Sequence, residues 1–327
     1  MNKFKYYFIL IITCLSLFSC SKDDNSIEEV PLRDYGEQFA KDNDSIQKFL
    51  NTYYIEKITD APGKLEDQDV KFTKIPTGGN QASIMSLLNS ATFPKLLKKT
   101  VDLHEIKYEI YYLVLREGVG QKPTNVDGVY AGYKGMLLNE TVFDQSINPQ
   151  GLYNLDGVTQ SPGIPVIRGW SEVFPEFRTG TYDESGNNDG TLVYNDFGAG
   201  VMFLPSGLGY YSSGGGAIPS YTPILFSFKL YEVRRYDHDN DGIPSYLEDI
   251  NGDGYVRRLA SGVANPDDSD KDGIPDYLDI DDDGDGFTTR SEITVNGVVT
   301  AFNLIPDCSG NIPTDPKKKK HLDKNCH

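Results

Sequence analysis

Apolar positions fall into three textures along this chain. From Tyr35 to about Ile58, the residues Tyr35, Phe39, Ile46, Phe49, Leu50, Tyr53 and Tyr54 recur near helical spacing, and a second, shorter helix is expected over 83–99. From Tyr108 the pattern changes to short β-like runs bounded by Gly, Pro, Asn and Asp: KYEIYYLVLREG, DGVYAGYKGMLL, GAGVMFLP and TPILFSFKLYEV. These predict a compact antiparallel sheet. At Tyr236 the hydrophobic runs stop and aspartate takes over. Residues 35–112 therefore read as a helical N-terminal extension, 113–235 as a sheet domain, 236–293 as an acidic repeat module and 294–327 as a tail.

Ahead of these elements stands MNKFKYYFILIITCLSLFSCSKDD. Two lysines precede an apolar run from Tyr6 to Phe18, which is short for a membrane-spanning helix and reads as a secretory signal over 1–19. Leu17-Phe18-Ser19-Cys20 resembles the lipobox of bacterial lipoproteins, and the acidic residues after it resemble the export tag of Bacteroidetes lipoproteins. That resemblance implies lipid on Cys20, a polar tether over 20–34, and an exported chain anchored to the outer membrane on its periplasmic or cell-surface side. Cys14 would leave with the signal. Cys308 and Cys326 remain, as a disulfide or as two free thiols, in a chain that has left the reducing cytoplasm.

The formal net charge of −17 is concentrated in one segment. Between Asp237 and Glu292 there are 15 Asp and 2 Glu against 4 Lys and Arg. Such a field argues against nucleic acid as a partner and for cations. The segment is also a repeat, with DHDNDGIPSYLEDINGDGY at 237–255 recurring as DSDKDGIPDYLDIDDDGDGF at 268–287. Carboxylates at alternate positions, a glycine for the sharp turn and a carboxylate at the twelfth position form a calcium-loop pattern. Asp237, Asp239, Asp241 and Glu248 satisfy it in full, as do Asp281, Asp283, Asp285 and Glu292. Asp268, Asp270 and Asp272 end on the shorter Asp279, and Asp249, Asn251 and Asp253 lack a twelfth ligand. Hard oxygen ligands of this kind select Ca²⁺ as a structural ion. The Ile-Pro-x-Tyr-Leu spacing resembles thrombospondin type 3 repeats, which implies an extended, calcium-filled rod with little core. The run Lys317–Lys320 reads as a solvated basic stretch.

Three further segments carry a resemblance to a known enzyme family. LREGVGQKPTNVDGVYAGYKGMLLNETVFDQS, PVIRGWSEVFPEFRTG and LPSGLGYYSSGGGAIPSYTPILFSFKLYEV stand in the order found in FKBP-type peptidyl-prolyl cis-trans isomerases, and residues 113–233 resemble that family. The resemblance implies an α+β fold, an antiparallel sheet wrapped on a short helix. It also implies a proline pocket with Trp170, the single tryptophan, as its floor. Tyr133, Phe143, Val166, Ile167 and Phe226 would form the walls, with Ile218 closing one side. The Ile167 N–H would hold the substrate carbonyl, Asp144 would sit at the pocket edge, and Tyr210 would offer its hydroxyl. No catalytic cofactor is implied. The insertion at 181–200 departs from compact members, as an extra hairpin or a solvent loop, and near Tyr153, where the family usually shows an aromatic wall residue, the stretch GLYNLDGVTQSPG does not align. The implied partners are proline-containing client proteins and the membrane, with a monomer as the default. Two other readings are a catalytically weak proline-binding chaperone and a calcium-dependent spacer or adhesion lipoprotein.

Overall fold

The computed structural model describes residues 31–326 apart from 149–150, 158–160, 185–189 and 261. The secretory signal, Cys20 and most of the tether lie outside the described residues.

Helix α1 (Tyr35–Thr52) begins at Asp34, whose side chain accepts from the Glu37 N–H and caps the first turn. Its buried stripe of Ile46, Phe49 and Leu50 follows the helical period. The helix stops at Thr52, short of the expected Ile58. The aromatic and β-branched run that follows forms β1 (Tyr53–Ile58), paired antiparallel with β2 (Val70–Lys74).

The second predicted helix is absent. Residues Ile84–Leu87 make one 3₁₀ turn, and Lys95–Leu103 form strand β3. Pro94 explains the difference, because it disfavours helical backbone in the residue before it and lacks the N–H a helix would use. β3 then pairs along its whole length with β4 (Ile106–Arg116). The extension is thus a helix, a hairpin and a sheet edge, and the expected boundary at 112/113 falls inside a continuous strand.

The strands that follow, up to Arg234, are β5 (Gly128–Leu137), β6 (Val142–Ser146), β7 (Leu152–Asn154), β8 (Ile164–Pro165), β9 (Thr181–Glu184), β10 (Leu192–Asn195), β11 (Gly198–Leu204) and β12 (Ile224–Arg234), with helix α2 (Arg168–Val173) between β8 and β9. The main sheet has the order β3-β4-β11-β12-β5-β7-β8, with β6 also on β5. Every pairing in it is antiparallel except β7 with β8.

Strand periodicity divides the core into two faces. On β4, Tyr108, Ile110, Tyr112 and Val114 join Trp170 and Phe174 on one side. Tyr111, Leu113 and Leu115 join Ile46, Phe49 and Leu50 of α1 on the other. The insertion forms the β9–β10 hairpin, and Tyr194 packs on Tyr231 at 4.9 Å, in the core face opposite Trp170.

Residues 236–326 are turns, 3₁₀ pieces, a short helix α3 (Thr289–Ile293) and a small antiparallel pair, β13 (Thr294–Val295) with β14 (Val298–Val299). The segment does not stand clear as a rod. Val256 and Tyr277 bury themselves with Val126 of the sheet domain, and Asn125 exchanges two 2.7 Å hydrogen bonds with the Val256 backbone. The tail carries a Cys308–Cys326 disulfide, with Cα atoms 5.5 Å apart. Lys319 is not solvated as expected. It is buried, donates to the Phe302 and Ile305 carbonyls, and lies 4.5 Å from the Phe302 ring. A cation with a long apolar stem can cover apolar surface in this way.

Candidate active site

Five strands and a helix converge on one cavity of about 330 Å³. Registry sets the wall: Gly135 of β5 lies between Phe226 on β12 and Asp144 on β6. A Cβ on Gly135 would come within 2.5 Å of the Phe143 ring and 2.8 Å of Phe226, so only glycine lets these rings close over the strand. Ile167 is the N-cap of α2 and brings Trp170 to the floor three residues later.

Trp170 is 4% exposed and is boxed in by edge-on rings. Tyr133, Tyr153 and Phe226 stand 5.1, 5.2 and 5.3 Å away, and Phe174 lies 5.1 Å away on the side of the core. Its indole N–H has no acceptor among the described residues, so the ring is held by apolar and quadrupolar contact alone. A flat, dry aromatic floor of this kind suits an apolar ring such as pyrrolidine.

The polar groups sit at the rim. The Tyr133 hydroxyl donates to Asp144 at 2.6 Å. Burial and then this carboxylate push the Tyr133 phenol well above its ordinary range. Burial also raises Tyr210, with the Asp144 charge adding to it, so both phenols stay neutral donors. The loop that carries Tyr210 is braced from the N-terminal extension. Buried Asp42 of α1 accepts from the Ser206 N–H at 2.8 Å and its hydroxyl at 2.6 Å, and Tyr35 stacks on Tyr211 at 4.2 Å.

The structure brings Tyr133, Asp144, Val166, Ile167, Trp170, Tyr210 and Phe226 to the cavity lining. It does not bring Phe143 or Ile218 there. Phe143 stands edge-on behind Phe226 at 5.5 Å, and Ile218 is buried in the core cluster. Ile164 and Pro165 line the cavity without having been expected to, and Tyr153, in the stretch that does not align, lines it as well. Tyr153 is placed by non-local pairing, with Val129 on one side and Ile164 on the other, so no local motif marks it.

Beneath the floor lies a second unexpected arrangement. Glu172, fully buried on α2, is gripped by Arg257 through two hydrogen bonds of 2.8 and 3.1 Å, and by Arg168 at 2.7 Å. Lys99 approaches it at 3.6 Å, and Tyr255 donates to its backbone carbonyl at 3.0 Å. Burial works to raise the Glu172 pKa, but Arg257, Arg168 and Lys99 together hold it below the usual carboxylate value. Arg257 and Tyr255 belong to the acidic module, so that module is fastened to the helix carrying Trp170.

The four aspartate loops share one geometry. In each, the glycine N–H donates to the first aspartate: Gly242 to Asp237 at 3.1 Å, Gly254 to Asp249 at 2.7 Å, Gly273 to Asp268 at 3.0 Å and Gly286 to Asp281 at 3.0 Å. Those glycines have φ of 107°, 87°, 100° and 94°, a region side chains rarely adopt. Ligand oxygens converge in Asp237/Asp239/Asp241, Asp268/Asp270/Asp272 and Asp281/Asp283/Asp285. Both carboxylate oxygens of Glu248 and of Glu292 are buried with no donor. Orphaned carboxylates beside such triads fit a hard divalent cation.

An aromatic floor walled by rings from three strands and capped by a short helix defines a proline-pocket domain. Over 121 residues the chain is 31% identical to a Neisseria meningitidis serogroup B protein named FK506-binding protein, covering 36% of this chain and 91% of that one. On that likeness, the chain belongs to the FKBP family of peptidyl-prolyl cis-trans isomerases. It is also 29% identical over 127 residues to peptidyl-prolyl cis-trans isomerase Mip of Coxiella burnetii, covering 38% of this chain and 45% of Mip. It thus spans less than half the length of that relative. A crystal structure of a peptidyl-prolyl cis-trans isomerase from Pseudomonas syringae pv. tomato shares 28% identity over 38% of this chain and 75% of that one, with a TM-score of 0.29. Residues 238–315 match a family model described as BamM C-terminal. No helix among the described residues is long and apolar enough to cross a membrane.

Proposed function

We propose that the protein catalyses cis–trans isomerisation of X–Pro bonds in exported proteins, tethered to the outer membrane by lipid on Cys20. The observation that carries this reading is the Trp170 floor with Tyr133, Tyr153 and Phe226 edge-on around it. Rotation about an X–Pro amide faces a barrier of about 18–20 kcal/mol because the planar forms are resonance-stabilised. The reaction needs no nucleophile or general base. It needs a site that binds the twisted amide more tightly than either planar form. The proline ring would lie on Trp170, the Ile167 N–H would hold a substrate carbonyl, and Tyr210 and Asp144 would face the carbonyl whose amide twists. Excluding water weakens the hydration that favours the planar dipole.

The acidic module would hold Ca²⁺ in its loops as thrombospondin type 3 repeats do, and the lone chain would act as a monomer. A second reading, a binding chaperone with little turnover, is favoured by the glycine-rich stretch Gly214–Gly216, with every φ positive, between Tyr210 and Ile218.

Refolding of a client whose slow phase is proline isomerisation separates the two readings. A catalyst accelerates the slow phase at substoichiometric amounts. A binding chaperone raises the yield only in stoichiometric amounts and leaves the rate unchanged.

A further inference from the structure

Loop-by-loop spacing gives each aspartate loop its own ligands. One group of buried carboxylates instead comes from two loops. Asp241 and Glu248 belong to the first loop, whereas Asp282 sits in the fourth, between the alternate positions Asp281 and Asp283. Ligand oxygens of Asp241, Glu248 and Asp282 lie within 4.8 Å of one another. Each of the three residues is 2% exposed. Both carboxylate oxygens of Glu248, both of Asp282 and the Oδ2 of Asp241 lack a hydrogen-bond partner. The other Asp241 oxygen accepts from the Ile243 N–H at 2.6 Å. Arg290, in the fourth loop, donates from Nη1 to the Asn240 carbonyl at 2.9 Å; its charge favours the ionised Asp241, but it forms no ion pair with the three carboxylates.

A buried carboxylate without a counter-charge costs several kcal/mol, and three aimed at one point repel one another as well. Either protons or a cation must neutralise that point, and carboxylates converging with no donor among them suit a cation. The separations suit an ion about 2.3–2.6 Å from each oxygen, the distance typical of Ca²⁺. An all-carboxylate set excludes the softer metals that seek sulfur or imidazole.

We propose that Asp282 completes a shared site with Asp241 and Glu248, so that a single oxygen-seeking divalent cation staples the first loop to the fourth. The inference rests on the reading of the repeats as cation-binding, and adds a ligand and a connection that the repeat pattern does not contain. The loops already meet over a small apolar core of Ile243, Ile293 and Ile305, flanked by Leu247, Val299 and Phe302. That contact positions the carboxylates, and the cation removes their repulsion. Tyr255 and Arg257 lie on the chain between the two loops, so the staple closes the segment that grips α2.

The test uses the full chain, stripped with a chelator and titrated with CaCl₂ alone, read by calorimetry and thermal unfolding. Asp282→Asn should lower the affinity of one site at least about tenfold, since carboxylate count sets affinity in such sites. It should leave the Ca²⁺-free protein at or above the wild-type melting temperature, because a buried like charge is gone. Glu248→Gln should show the same pair of effects, and the double variant should weaken or lose that same single site, with the stoichiometry falling by no more than one ion. Asp282→Ser serves as a second neutral variant, with the same expectation. Wild-type stoichiometry and affinity in Asp282→Asn, with a loss in Glu248→Gln, would overturn the shared site and leave the loops standing. Loss of two separate ions in the double variant, one for each substitution, would overturn it too. No Ca²⁺ uptake by the wild-type chain would overturn both readings.

Discussion

Asp144 does two things at once: it accepts from Tyr133 and sets the charge at the pocket rim. Its own side chain is exposed, so removing it should cost the fold little. Asp144→Ala is expected to change stability by no more than about 0.5 kcal/mol. It should lower kcat/KM by about tenfold or more, the factor expected from losing a hydrogen bond to a charged group. Steady-state isomerisation and thermal unfolding on one preparation check both halves. Gly135→Ala should behave oppositely, because its methyl would collide with Phe143 and Phe226. A cost of about 1–3 kcal/mol is expected, with activity falling alongside, measurable by urea unfolding. Most of the site was legible at this scale because Tyr133, Phe226 and Trp170 sit in local motifs. Tyr153 was not, since strand pairing across the β5–β7–β8 edge brings it in. Ile218 follows a local motif too, yet the fold turns it into the core.

Helix α2 has only six residues and no side-chain cap, so its position depends on what holds it from below. Glu172 supplies that hold through Arg168, Arg257 and Lys99. Arg257→Ala leaves two of the three cations in place and should destabilise by about 1.5–3 kcal/mol at neutral pH. The pH dependence has a definite sign. A carboxylate held below its ordinary value binds fewer protons folded than unfolded, so its stabilisation is full above the unfolded pKa, about 4.3, and is lost as pH falls through the folded value. Wild type and Arg257→Ala should therefore differ most near pH 7 and converge only as pH falls below the unfolded value of about 4.3 and through the lower folded one, which urea melts at several pH values would show. Neither Glu172 nor Arg257 was marked by any spacing, because their partnership joins an isomerase helix to a distant acidic module. The strand β3 was missed for a nearer reason. Its apolar residues satisfied a helical template, and only the pairing with β4 and the proline ahead of it settle the choice.

At the scale of the molecule, two modules read from the sequence as separate share an interface. Val126, Asn125 and Glu172 on the sheet domain meet Val256, Tyr277 and Arg257 on the acidic one. A chain ending after Arg235 should thus unfold more readily than the full chain, by about 2–4 kcal/mol, as the Asn125 and Glu172 bonds are lost and Val126 is exposed. Chemical denaturation of the two chains gives that difference directly. The repeat itself was fully legible, since aspartate spacing and glycine placement are local. Where the repeat docks was not, because the docking residues are single side chains without a pattern. NMR exchange spectroscopy on an X–Pro peptide, with the full chain as catalyst, puts the pocket itself to the test. The account predicts faster cis–trans exchange, suppressed by a macrolide of the kind FK506-binding proteins bind, and reduced in Asp144→Ala. Exchange at the uncatalysed rate, with the lone Trp170 fluorescence unmoved by peptide or macrolide, would contradict it.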